Sequence, residues 1–254
     1  MPSEALTEAL LTTVDLGAGV CAAYSGRAGG VSHGGYASLN LGTHVGDAPE
    51  AVQVNRARVA QALGAVPVYL RQVHGTVCVA AQVNAQEEVE ADALWTAQPG
   101  LPLAIQVADC LPVLFVVRDA AGQALAVAAV HAGWRGLAAG VLEATLAALP
   151  QGSVQAWLGP CIGLQAFEVG EEVLRGFGRS PADPGPHFVW APRPDGSARW
   201  RADLQGLARL RLQAAGVHGI QVEPACTFSE PSRFFSFRRD GAISGRQAVF
   251  IQLA

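Results

Sequence analysis

Three apolar runs of this chain end in side chains that bind metals. YLRQVHG (residues 69–75) leads into His74, LAIQVADCLP (103–112) into Asp109 and Cys110, and AVAAVHAGWRG (126–136) into His131. Ligands of open α/β sheets gather at strand ends, so three such ends can converge on one centre if the strand directions allow it. Two imidazoles and one thiolate are a donor set that zinc accepts. Three protein ligands leave a fourth tetrahedral position open, as in catalytic rather than structural zinc sites. A metal held this way lowers the pKa of a bound water to about 7 and so supplies hydroxide at neutral pH. Spacing alone leaves a second reading equally open, with His74 and His131 as hydrogen-bonded histidines at strand ends and Cys110 as a buried thiol.

Other residues could serve a polar ligand. Arg135 opens the helical pattern that follows His131, where backbone N–H groups and a guanidinium together can hold phosphate, although a surface charge is the plainer reading. The stretch SGRAGGVSHGGYASLNLGTHVGD (25–47) is rich in Gly, hydroxyls and amides. It carries neither a Walker lysine nor a Rossmann fingerprint, and it reads as a long surface loop. RFFSFRRDGAISGRQAVFIQL (233–253) reads as a turn and a final strand completing a sheet, with Arg238 and Arg239 in solvent. The five cysteines, Cys21, Cys78, Cys110, Cys161 and Cys226, are odd in number and never in CxxC spacing. This argues against a disulfide framework and a zinc ribbon. Cys161 reads as a small buried thiol ahead of a fourth ligand or a nucleophile.

The elements that must position these groups are legible as periodicity. Helical spacing marks residues 49–64, 136–149, 170–178 and 201–216, the last starting near Asp203 and closed by Gly216. Strand-like runs are VPVYLRQV (66–73), TVCVAAQV (76–83), LPLAIQVA (101–108), LPVLFVV (111–117), ALAVAAV (124–130) and SVQAWLG (153–159). Adjacent strand pairs mixed with strand-to-helix units predict a layered α/β fold with a mixed sheet rather than a regular βαβ alternation. Residues 178–199, broken by Pro and Gly, read as a loop inserted within one domain rather than a boundary.

A chain of 254 residues with 50% hydrophobic and 15% charged residues can bury a substantial core. Its net charge of −4, and 17 basic residues that are all Arg and scattered, give no field for a nucleic-acid backbone. The N-terminus carries acids where a signal peptide carries positive charge, and no apolar run approaches the ~20 residues of a membrane span. The expectation is a cytoplasmic monomer.

Taken together, RAGGVSHGGYASLNLGTHVGD, QVHG, ADCLPVLF, HAGWRGLAAGVLE, AWLGPCIG, FEVG, RFFSFRRDG and GRQAVFI resemble the YfiH family, formerly labelled multicopper polyphenol oxidoreductase or laccase. The likeness runs from about residue 20 onward. It implies a single-domain α-β-β-α layered fold over residues 1–254 and a zinc site at His74, Cys110 and His131, with copper also suited to the donors. It further implies phosphorolysis of purine nucleosides (adenosine, inosine, methylthioadenosine) together with adenosine deamination. In deamination Asp109 is the candidate proton shuttle. In phosphorolysis Arg135, and then Arg71, would hold phosphate while Ser38, Asn40 and Gln72 orient the nucleoside. Two alternatives accompany the resemblance, a metal-dependent hydrolase editing UDP-linked peptidoglycan precursors and the older laccase activity. With six histidines, no HxH pair and a single Met at the first position, the residue inventory counts against a multicopper oxidase.

Overall fold

The computed structural model describes residues 10–81 and 89–254. The acidic stretch up to residue 9 and the last two residues of the 76–83 run lie outside the described residues. The first strands are β1 (Leu11–Val14), β2 (Val20–Ser25), β3 (Leu70–Arg71), β4 (Cys78–Ala80), β5 (Val89–Glu90), β6 (Ala93–Thr96) and β7 (Leu103–Val107). They are followed by β8 (Leu111–Arg118), β9 (Ala124–Ala132), β10 (Ser153–Leu158), β11 (Glu168–Val169), β12 (Phe188–Trp190), β13 (Trp200–Ala202), β14 (Gly219–Val222) and β15 (Gln247–Leu253). Helices are α1 (Pro49–Leu63), α2 (Trp134–Ala139), α3 (Val141–Ala148), α4 (Glu171–Gly176), α5 (Leu204–Ala214) and α6 (Phe237–Asp240).

The β8–β9 hairpin is the centre of the molecule. Its turn is set by Asp119, whose Oδ1 accepts from Ala121 N and Gln123 N, both at 2.8–2.9 Å. β8 and β9 lie inside a six-stranded sheet of order β14-β10-β8-β9-β6-β4. The pairs β10–β8, β8–β9 and β9–β6 are antiparallel, whereas β10–β14 and β4–β6 are parallel. Val113, Phe115 and Val117, with Ala126, Ala128 and Val130, point to one core, where they meet Leu137, Val141, Leu142, Leu204, Leu207 and Leu212 of the helices. Leu114, Val116, Val127 and Ala129 point to the other. A sheet covered on both faces has no reason to alternate apolar with polar residues, which is why these runs read as continuous apolar segments.

The second core is shared with an antiparallel four-stranded sheet of order β1-β2-β15-β7. Leu103, Ile105 and Val107 of β7 and Val249, Ile251 and Leu253 of β15 face it. The intervening residues Ala104, Ala248 and Phe250 face outward onto Val59 of α1 in a third core. The layers are therefore α1, four-stranded sheet, six-stranded sheet, helices: the α-β-β-α arrangement. No helix among the described residues is long and apolar enough to cross a membrane.

Several boundaries differ from the periodicity. The run 66–73 forms a strand only at Leu70–Arg71, and the helical stretch 136–149 is two helices broken at Gly140. Its φ of 102° suits glycine, and its N–H closes back onto Gly136 O and Leu137 O. Within the Pro/Gly-rich 178–199 stretch lies β12, paired through β13 in a three-stranded sheet with β11. α5 begins as expected, with Asp203 Oδ1 accepting from Gly206 N at 2.9 Å.

Phe115 is fully buried at the heart of the hairpin. Phe115→Ala is expected to lower unfolding stability by about 3–5 kcal/mol. Urea denaturation would read this as a lower midpoint with an unchanged slope.

Candidate metal centre and its cavity

The antiparallel register of β8 and β9 pairs Pro112 with His131. Cys110, just ahead of β8, and His131, near the end of β9, are thereby brought to one end of the sheet. His74 arrives from the turn after β3 with φ at 62°, and Asp109 precedes Cys110 with φ at 93°. Both residues sit in the left-handed region, so each strand end is turned sharply rather than continued. The ligating atoms of His74, Cys110 and His131 all lie within 4.8 Å of one another. Cys110 Sγ is 3.8 Å from His74 Nε2, and the two imidazoles meet edge-on with centroids 4.7 Å apart.

Asp92 builds this arrangement. It stands at the start of β6, wholly buried, and its backbone carbonyl accepts from His131 N at 2.7 Å. Its Oδ1 lies 2.7 Å from His131 Nδ1 and accepts from His74 N at 2.8 Å, while Oδ2 accepts from Gly75 N at 2.6 Å and Val73 N at 3.3 Å. One carboxylate thus folds the His74 turn and orients the His131 ring with Nε2 left for a ligand, the carboxylate–histidine device of metal sites. Burial opposes the Asp92 charge, but His131 and the amides prevail and hold the carboxyl below its usual range. Burial likewise opposes the Cys110 thiolate. Its two histidine neighbours outweigh that and bring the thiol down to about 6, the state a metal requires of a cysteine ligand.

The donor chemistry suits a single metal ion. A tetrahedral ion with Zn–S near 2.3 Å and Zn–N near 2.0–2.1 Å holds its donors less than about 4 Å apart, a spacing that Cys110 and His74 already have, and all three ligating atoms lie within 4.8 Å. Space for it is kept by Gly133: a Cβ there would stand 2.8 Å from His74 Cδ2 and 3.2 Å from Cys110 Sγ. Among the described residues this is the one cluster of His, Cys, Asp and Glu able to hold a metal.

The cluster opens into a cavity of about 380 Å³, within the range of small-molecule sites. Its lining combines apolar side chains, Trp134, Ile162, Phe167, Leu204 and Phe237, with His44, Arg135, Arg238 and Arg246. Arg135 lies over the Trp134 ring at 4.5 Å, and Arg238 over Phe167 at 5.3 Å. Burial lowers the Arg246 guanidinium pKa, and the nearby Cys110 and Asp109 oppose that shift.

The other sequence candidates are divided. Gln72 lines the cavity, yet its amide is held by both backbone groups of Gln106, at 2.8 and 2.9 Å. Asp109 also lines it, with Oδ1 accepting from Thr227 Oγ1 at 2.6 Å and Oδ2 from Ser236 Oγ at 3.0 Å and Arg238 N at 2.6 Å. Oδ2 is thus doubly engaged, while Oδ1 takes one donor. Ser38, Asn40 and Arg71 do not line the cavity. Ser38 Oγ bridges Gly30 N and Arg27 O, buried Asn40 ties Gly42 to Arg246 N, and Arg71 pairs with Glu90 at 2.8 Å.

The structure also corrects two readings of the surface. Residues 25–47 are no simple surface loop, since Ser32 and Asn40 are buried around Asn55 of α1, and His44 reaches the cavity. For the arginines the reading holds only in part: Arg238 is exposed while donating to Glu168 O at 2.7 Å beside the cavity, whereas Arg239 is half-buried and donates to the carbonyls of Thr227, Phe228 and Phe234. Asp92, Gly133 and Arg246 carry no local sequence signal of a site role. The density of Arg and aromatic residues in RFFSFRRDG was the one available signal for the C-terminal wall.

A family model described as multi-copper polyphenol oxidoreductase laccase matches residues 21–254. A purine nucleoside phosphorylase of Pseudomonas aeruginosa is 46% identical over 229 residues, covering 89% of this chain and 90% of that one. The purine nucleoside phosphorylase YfiH of Escherichia coli K12 is 45% identical over 239 residues, covering 92% and 94%. The crystal structure of a DUF152 protein of Neisseria meningitidis superposes with a TM-score of 0.85 at 46% identity, covering 96% of this chain and 98% of that one.

Asp92→Asn is expected to weaken zinc binding about 10–100-fold, measured by competition with a chromophoric chelator. Gly133→Ala, which places a methyl among the ligands, should weaken it as well while leaving the far-UV circular dichroism unchanged. Wild-type affinity in both variants would remove Asp92 and Gly133 from the centre.

Proposed function

The chain belongs to the YfiH/DUF152 family, whose model carries the polyphenol oxidoreductase laccase description, and we propose that it is a zinc-dependent purine nucleoside enzyme. In this reading, residues 1–254 act as one domain that cleaves adenosine, inosine or methylthioadenosine by phosphorolysis and deaminates adenosine hydrolytically. The observation that carries it is the composition of one cavity, in which a two-histidine, one-cysteine donor set, aromatic side chains and three guanidinium groups line the same space. The names of the relatives support the same substrate class.

Zinc bound to His74, Cys110 and His131 would supply a Lewis acid and water acidified to a pKa near 7. The residues of the chain divide the remaining work. Trp134, Phe167 and Phe237 offer ring faces and edges to a purine. Arg135, Arg238 and Arg246 offer charge-assisted donors to phosphate. In phosphorolysis a phosphate oxygen bonds to C1′ as the bond from C1′ to the base breaks, so the anion must be held on the face of the sugar opposite the base. Asp109 holds the Arg238 backbone, Ser236 and Thr227, so it serves the cavity as a positioning residue. A single two-nitrogen, one-sulfur centre supports this chemistry over a laccase, which needs several copper ions.

Zinc-loaded protein incubated with adenosine should yield adenine only when phosphate is present, and inosine with or without it. Both products should vanish in His74→Ala. Chromatography that finds neither product above that control would overturn the reading. Arg135→Ala is expected to raise the KM for phosphate about tenfold, the loss of about 1.4 kcal/mol of anion binding, as read by initial rates across phosphate concentrations.

A further inference from the structure

Two thiols outside the metal centre are placed for chemistry that the nucleoside reaction does not use. Cys161 and Cys226 form an isolated parallel β-bridge. Strands paired this way lie about 4.8 Å apart, inside the range of Cα separations that a disulfide spans, about 4.4–6.8 Å. Neighbours across such a bridge project to the same side of the ladder.

The two sulfurs sit in different surroundings. Cys161 is buried, with its Sγ 3.6 Å from Ile162 O. Burial first, and then the neighbouring Cys226, push its thiol well up. Cys226 is half-buried, and its Sγ accepts from Gly163 N at 3.2 Å. That donor is aimed at a sulfur that must carry charge when it attacks, and the residue retains partial exposure. The approach is close: a Cβ on Gly163 would stand 3.3 Å from Cys226 Sγ.

We propose that Cys161 and Cys226 form a redox-active pair that closes to a disulfide when a peroxide is supplied. The Cys226 thiolate attacks one peroxide oxygen, the O–O bond breaks, and Cys226 becomes a sulfenic acid while the other oxygen leaves as water. The Cys161 sulfur then displaces the sulfenic hydroxyl, forming the S–S bond and releasing a second water with the thiol proton. Two thiols and one hydrogen peroxide give one disulfide and two waters, and a dithiol reductant reverses the change.

The pair is joined to the candidate metal centre through backbone. Thr227 N donates to Cys161 O at 3.0 Å, Ile162 N donates to Asp109 O at 2.9 Å, and Thr227 Oγ1 donates to Asp109 Oδ1 at 2.6 Å. Oxidation would therefore clasp the two segments that hold the Asp109–Cys110 turn.

The chain has Arg but no Lys, so trypsin places Cys161 on peptide 136–175 and Cys226 on peptide 212–233, each without another cysteine. Zinc-loaded protein treated with hydrogen peroxide, alkylated and digested without reductant should give these two peptides joined, lighter than their sum by two hydrogen atoms. Dithiothreitol should separate them. Cys161→Ala should instead leave Cys226 as a sulfenic acid that dimedone captures, and Cys226→Ser should leave Cys161 fully alkylated. Cys226 oxidised alone in the unmutated protein, or either cysteine joined to the peptide carrying Cys110, would overturn the assignment.

Discussion

The buried carboxylate of Asp92 is the constraint around which the site is arranged. A wholly buried charge is tolerated only when fully partnered. Here its partners are three consecutive backbone N–H groups, those of Val73, His74 and Gly75, together with the His131 ring. The conformation of the His74 turn and the orientation of His131 follow from satisfying that one group. Removing the carboxylate would leave a left-handed turn and a buried imidazole each without its main support.

Around that constraint the two-sheet architecture acts as a frame. β8 and β9 are covered on both faces, so the strand ends carrying Cys110 and His131 have little freedom to move. The four-stranded sheet then presents β7 and β15 beside them, delivering Asp109 and Arg246. A second carboxylate repeats the device at the other side of the centre: Asp109 collects Thr227, Ser236 and the Arg238 amide, and in doing so draws the C-terminal aromatic and arginine segment over the cavity.

Much of this was legible in the sequence, and the reasons are physical. The three ligand-bearing strand ends stood out because an apolar run that stops on His or Cys is conspicuous, and the layered α/β class followed from the mixture of periods. Asp92 was hidden because EADALW offers only one more acid in a polar stretch, and nothing local reveals that a strand from 39 residues onward will deliver a histidine to it. Ser38 and Asn40 looked like ligand groups because hydroxyls and amides in a Gly-rich run serve ligand and backbone equally well; here they serve backbone. RRDG is a common surface pattern, which Arg238 follows, and only the fold shows that Arg239 turns inward onto three carbonyls.

The placement of β15 has a consequence for how the molecule is made. It lies between β2 and β7, so the four-stranded sheet closes only when residues 247–253 insert beside residues 20–25. Arg246 and the Asn40 side chain that receives its amide are likewise joined across the length of the chain. During synthesis the His-Cys-His strand ends emerge early, while the sheet that steadies them stays open at its middle. Long-range pairing of this kind slows folding and leaves strand edges exposed in the interval. The ribosome-bound chain therefore passes through a stage in which a thiol and two imidazoles are present without their cavity.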